Sequence, residues 1–290
     1  MKRIHRRTWF HAVPESTPSL RLCVSYQAAL PVRGQVVLVP PFAEELNKCR
    51  RMIRLQAEAL STAGFDVLVM DLLGTGDSPG DFGDADWGRW QEDVRAAIAC
   101  IRASRRERLP LWLWGVRAGC ALAAACARTL DEECNLLFWQ PLGAAQQLQQ
   151  FLRWATVGAW FADTPASEAS ALRAQLAQGS PVEIGGYILS GKLAQGMAAD
   201  SFDPPDRLGC LVWIDVYPAP TPQAQLSPWA ATQLQRWTQH AEQVNAMQVE
   251  GPSFWGTTEM EDAPLLLGAT LQALGVAAQQ IDATPHCTAC

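Results

Sequence analysis

The sequence predicts an α/β fold, a mostly parallel sheet flanked by helices on both faces and interrupted by a mainly helical cap insertion. Three observations carry that expectation. Short aliphatic and β-branched runs alternate with segments of helical periodicity, the pattern that gives buried parallel strands and crossover helices. A tight turn, Gly115-Val116-Arg117-Ala118-Gly119, joins one such run to an alanine-rich segment. The alternation then lapses between Pro141 and Pro205.

Taken in order, residues 21–26 read as an antiparallel strand leading into the sheet. Val36-Val37-Leu38-Val39 and Val67-Leu68-Val69-Met70 read as buried strands. Between them, residues 48–63 carry Met52, Leu55, Ala59 and Leu60 at helical spacing and stop before Gly64, a good C-terminal cap. Residues 87–105 repeat the pattern, with Trp90, Val94, Ala97, Ile98 and Ile101 on one face. Leu111-Trp112-Leu113-Trp114 opens a third unit, whose helix covers residues 120–130, and Leu136-Leu137-Phe138-Trp139 is the next strand. Leu211-Val212-Trp213-Ile214 and residues 246–249 complete the series. The expected organisation is a core of residues 1–142 and 206–290, with a cap over 143–205 whose helices cover 148–161 and 168–176. Such caps shape pockets and exclude water. An ordinary packed excursion with no gating role is the alternative.

Composition narrows the function classes. Of 290 residues, 49% are apolar and 18% charged, a globular balance, and the net charge of −6 offers no electrostatic footprint for nucleic acid. The basic start, Lys2, Arg3, Arg6 and Arg7, is followed by Pro14-Glu15-Ser16 where a signal peptide needs an apolar stretch. The most apolar stretch, residues 109–127, carries Arg117 in its middle, so no membrane-spanning segment is expected. Nine scattered cysteines suit a reducing compartment, and the cytoplasm is the expected location. Cys287 and Cys290 have redox or metal spacing but lie at the chain end without a second pair. No cofactor and no metal is expected.

A strand, a Gly-x-Z-x-Gly turn and a helix define the nucleophile elbow of the α/β-hydrolases, and the two glycines relieve crowding there. Here Z is Arg117, whose guanidinium cannot be deprotonated at usable pH and is no nucleophile. The loop after the first parallel strand, Pro40-Pro41-Phe42-Ala43-Glu44-Glu45-Leu46-Asn47-Lys48, occupies the oxyanion position. The N–H groups of Phe42 and Ala118 are the candidate donors, with the helix start adding its positive end. Asp71-Leu72-Leu73-Gly74-Thr75-Gly76-Asp77-Ser78 matches a structural loop common in this fold. In the usual chain order an acid follows the next-to-last strand and a histidine the last. Asp215 suits the acid. The loop after the last strand holds Trp255 and Glu259 but no histidine, and the four histidines fall at 5, 11, 240 and 286. His240 reads as part of the helical run from Trp229.

With these residues in hand, the chain resembles the exosortase A system-associated hydrolases of the second type. The stretch from Pro40 on, extended by Cys49-Arg50-Arg51-Met52, is the most specific. The elbow with Trp114, and Phe254-Trp255-Gly256-Thr257-Thr258-Glu259, support it. The resemblance covers about residues 21–274. It implies an α/β-hydrolase fold, hydrolysis of an ester or acyl substrate, and association with exopolysaccharide production and the sorting of proteins bearing a short C-terminal Pro-Glu-Pro signal. Fold alone does not establish chemistry.

Two functions compete. In a rebuilt enzyme, Arg117 holds a carboxylate or phosphate while Glu44, Glu45, Asp215 or Glu259 acts as general base on water. The same residues otherwise form a structural ion-pair network between Arg117 and Glu44 or Glu45. In a pseudohydrolase, the cleft binds a small molecule, an acyl group, a lipid-linked sugar or a protein partner without turnover. Trp139, Trp154, Trp160 and Trp255 suit such a surface, or serve as core.

Overall fold

Alternation within each aliphatic run divides the interior in two. Val36 and Leu38 of β3 (Gly34–Val39) join one buried cluster, and Val37 and Val39 join the other, as expected of a strand covered on both faces. The same holds along β4 (Phe65–Met70), β5 (Leu111–Val116) and β6 (Cys134–Trp139). The computed structural model describes residues 5–14, 16–29, 31–158, 167–218 and 226–276, with the backbone alone for 154–158 and 167–169.

Eight strands form the main sheet in the order β1 (His5–Ala12), β2 (Leu20–Gln27), β4, β3, β5, β6, β9 (Leu208–Tyr217) and β10 (Ala241–Glu250). The hairpin of β1 and β2 joins antiparallel to β4, and every pairing from β4 to β10 is parallel. One face is covered by α1 (Glu44–Thr62) and α8 (Pro264–Ala273) over Met52, Leu60, Trp114 and Trp139. The other is covered by α2 (Trp87–Ala103), α3 (Gly119–Ala127) and α7 (Pro228–Trp237) over Leu113, Phe138 and Trp213. This is an α/β-hydrolase fold.

Between β6 and β9 (Leu208–Tyr217) lie α4 (Ala144–Gly158), α5 (Ser167–Ala177) and α6 (Gly191–Ala199). The insertion also holds a small hairpin, β7 (Val182–Ile184) and β8 (Tyr187–Leu189), absent from the helical expectation. Ser190 Oγ donates to the Ala85 carbonyl at 2.6 Å and so ties the hairpin's end to the core.

Several boundaries move. α1 starts at Glu44 rather than near Lys48, so both glutamates sit in its first turn, where the helix dipole favours them. β1 carries exposed basic residues and needs only edge pairing, so its sequence has no buried run. The last strand, β10 (Ala241–Glu250), is longer than residues 246–249 because it too is an edge strand, partly exposed along its length. His240 lies in the turn after α7, not in the helix. Trp160, His286, Cys287 and Cys290, and the Trp154 side chain, lie outside the described residues. Among those described, no helix is long and apolar enough to cross a membrane.

Candidate functional site

The elbow is built as its glycines require. Arg117 sits at φ 56° between β5 and α3, a left-handed conformation that is unfavourable for a side-chain-bearing residue. Its own N–H donates to the Trp139 carbonyl at 2.9 Å. A Cβ on Gly119 would stand 2.3 Å from the Val39 carbonyl oxygen, and one on Gly115 would stand 2.5 Å from Cys120 Cα. Both clashes are with backbone, so neither position admits a side chain without moving the turn.

The Arg117 side chain is 9% exposed and held on three sides. Its Nε and Nη2 donate to the two carboxylate oxygens of Glu45 at 3.3 and 3.1 Å, a two-point ion pair. Nη2 also donates to Gln150 Oε1 at 3.0 Å. The Trp255 ring lies beneath the guanidinium at 5.1 Å, within cation–π range. Nη1 alone has no acceptor among the described residues. Glu45 is 3% exposed, and burial pushes its carboxyl above the usual range while Arg117 and Gln147 oppose that shift.

Arg117 lines a cleft of about 440 Å³ with Asp215 and one face of α4: Gln146, Gln149, Gln150 and Arg153. That spacing of three, four and seven is one helical stripe, and Leu148, Phe151 and Leu152 pack inward between its members. Asp215 lies near the end of β9, within its buried run, and is 9% exposed. Burial raises its carboxyl above the ordinary aspartate value, opposed by the Trp213 indole, which donates to Oδ2 at 3.2 Å.

The structure thus brings Arg117 and Asp215 to one cleft, with Glu45 and Trp255 against Arg117 outside its lining, and leaves others aside. Glu44 turns away from Arg117 and accepts from Asn47 Nδ2 at 2.9 Å and Tyr187 Oη at 3.0 Å. Burial and this carboxylate push the Tyr187 hydroxyl up to about 12. Glu259 is exposed in the loop after β10 and does not line the cleft. The Phe42 and Ala118 amides have no acceptor among the described residues. They flank a separate void of about 10 Å³ walled by Trp87 and Trp90, at the lower limit for one water. No described histidine lines the cleft, since His5 and His11 are on β1 and His240 precedes β10. Among the described residues no cluster of three or more His, Cys, Asp or Glu is placed to hold a metal. Sequence reasoning missed Gln140 and the α4 stripe, although the stripe's spacing was visible.

A sheet of this topology with a strand–elbow–helix at its centre defines an α/β-hydrolase. More narrowly, the chain belongs to the family described as serine aminopeptidase, S33, whose model matches residues 31–179. Among curated proteins nothing matches. Solved structures share the fold at low identity. XC6422 from Xanthomonas campestris, described as an α/β serine hydrolase without lid, is 16% identical, with 95% of this chain and 97% of that one covered and a TM-score of 0.53. Est1E from Butyrivibrio proteoclasticus, solved with ferulic acid, is 12% identical over 93% and 94%, with a TM-score of 0.52. A thermostable carboxyl esterase from Bacillus coagulans, solved with glycerol, is 16% identical over 85% and 90%, also at 0.52.

Proposed function

We propose that this α/β-hydrolase-family protein is a pseudohydrolase that binds an anionic ligand at Arg117. One observation carries the reading: the guanidinium at the elbow is fixed by Glu45, Gln150 and Trp255, yet keeps Nη1 without an acceptor among the described residues while lining the cleft. A pre-oriented arginine with a spare donor suits a carboxylate or phosphate. In this reading Glu45 is the counter-ion, Trp255 covers the guanidinium, and residues 143–205 act as a cap over a core of 1–142 and 206–290.

A second reading is hydrolysis of an ester or acyl substrate by water, with Asp215 as general base. Its support is that Asp215 lines the same cleft and that burial raises its proton affinity toward the working range of a base. Phe42 and Ala118, the oxyanion donors of a serine hydrolase, face a separate void and have no part in this cleft. Glu44, held by Tyr187, and Glu259, outside the cleft, have no part in either reading. The resemblance to the exosortase A system-associated hydrolases further suggests a role beside exopolysaccharide production and protein sorting. Deletion of the gene, scored by exopolysaccharide yield, tests that link.

The test of the site has two arms. A serine-directed fluorophosphonate probe leaves the purified protein unlabelled; stoichiometric labelling of one serine overturns the pseudohydrolase. Titration calorimetry with acetate and inorganic phosphate detects binding that weakens in Arg117→Lys, which keeps the charge but loses the fork. Ester turnover that disappears in Asp215→Asn selects the second reading instead.

A further inference from the structure

Three of the side-chain amides around the cleft are not free to point either way. Gln140 Oε1 accepts from the Val216 N–H at 2.7 Å, Gln146 Oε1 from the Gly143 N–H at 3.3 Å, and Gln150 Oε1 from Arg117 Nη2 at 3.0 Å. Each partner is purely a donor, so each glutamine must spend its oxygen on the protein and leave its NH₂ group over. None of the three NH₂ groups has an acceptor among the described residues. With Arg117 Nη1 they make a set of fixed donors along one wall. Acceptors come from elsewhere. Gln149 and Gln248 line the cleft with both ends of their amides unengaged among the described residues, and Asp215 has one oxygen, Oδ1, beyond the reach of Trp213.

A ligand that satisfies this lining needs a carboxylate for Arg117 and several groups that accept and donate at once. Hydroxyls do both, and a glutamine side chain is their natural counterpart. A ligand rich only in carbonyls would leave Asp215, Gln149 and Gln248 without donors. An aliphatic acid would engage Arg117 alone and leave these half-buried and exposed amides to water. Trp229 adds a flat apolar face to the same cleft. The volume of about 440 Å³ lies in the small-molecule range, about 300–1,000 Å³.

We infer that the cleft takes a polyhydroxylated carboxylate, a ligand of the sugar-acid class. Its carboxylate meets Arg117 Nη1, and its hydroxyls lie along Gln140, Gln146, Gln149 and Gln150. The inference rests on the anion-binding reading above and narrows it to one ligand class.

Saturation-transfer NMR and calorimetry with glucuronate, glucose, acetate and inorganic phosphate test it on the whole protein. Glucuronate is expected to bind at least tenfold more tightly than acetate, phosphate or glucose. The double variant Gln146→Leu/Gln149→Leu removes that preference and leaves acetate binding within twofold of wild type. Equal affinity for acetate and glucuronate, or phosphate binding more tightly than glucuronate, overturns the sugar-acid assignment while the anion site stands. Absence of binding by any of the three anions overturns both. A double variant that keeps the full preference for glucuronate also overturns the assignment, since the stripe then has no part in it.

Discussion

Replacing Arg117 by Met leaves the Glu45 carboxylate buried without its counter-ion. The two side chains are 9% and 4% exposed, so solvent does little to screen the loss. Removing one partner of a buried ion pair costs about 3–5 kcal/mol. At about 2 °C per kcal/mol in a domain this large, the melting midpoint at pH 8 falls by about 6–10 °C. The pH dependence distinguishes this origin from a packing defect. Burial already holds the Glu45 carboxyl above its ordinary value, and losing Arg117 removes the main opposing influence, so the folded-state value rises further. A carboxyl raised on folding contributes its stability in full below the unfolded value, about 4.3, and loses it as pH rises through the folded value. The variant's deficit is therefore small near pH 5 and large at pH 8. Adding Glu45→Met to the same chain restores most of the midpoint at pH 8, because a buried pair exchanged for apolar groups is near neutral. Differential scanning fluorimetry of wild type, single and double variants at both pH values decides the matter. An equal loss at pH 5 and pH 8, or a single-variant loss below about 1 kcal/mol, the size of an exposed pair, would refute the buried-pair reasoning.

Asp215→Asn is expected to tighten carboxylate binding at pH 8, and wild-type binding to tighten as pH falls through the raised Asp215 value, because the protonated acid no longer repels the ligand; calorimetry across that range checks both. Gly119→Ala places a methyl 2.3 Å from the Val39 carbonyl oxygen, and soluble yield should collapse or unfolding free energy drop by more than about 3 kcal/mol in urea titration. Tyr187→Phe removes the hydroxyl that donates to Glu44 and should cost about 1 kcal/mol by the same titration, with binding at Arg117 unchanged.

The central strands and covering helices were legible because their constraints are local and repeated. A run such as Leu111 to Val116, buried at every position, leaves few alternatives to a central strand. β1 and β10 were harder because an edge strand needs backbone partners on one side only and tolerates polar residues such as Arg6 or Gln243. The elbow could be read from Gly115 and Gly119 because the steric demand falls on adjacent residues. The choice between Glu44 and Glu45 could not. It turns on where α1 begins, and a helix start is settled by caps and packing that one sequence leaves ambiguous within a turn. The polar face of α4 was readable as spacing, yet its meaning depended on Gly143, just before the helix, and on Arg117 at the elbow, which donate to Gln146 and Gln150.

Trp255 lies over Arg117 in the loop where a serine hydrolase carries its histidine. Replacing Arg117 alone by serine would supply a hydroxyl with no histidine beside it among the described residues and strand Glu45 in the interior. Installing histidine alone would remove the guanidinium's cover and place a second basic group beside it. Each single change thus leaves either a buried charge unpaired or the guanidinium uncovered. Arg117, Glu45 and Trp255 thus form one unit, and a change at any of the three is felt by the other two.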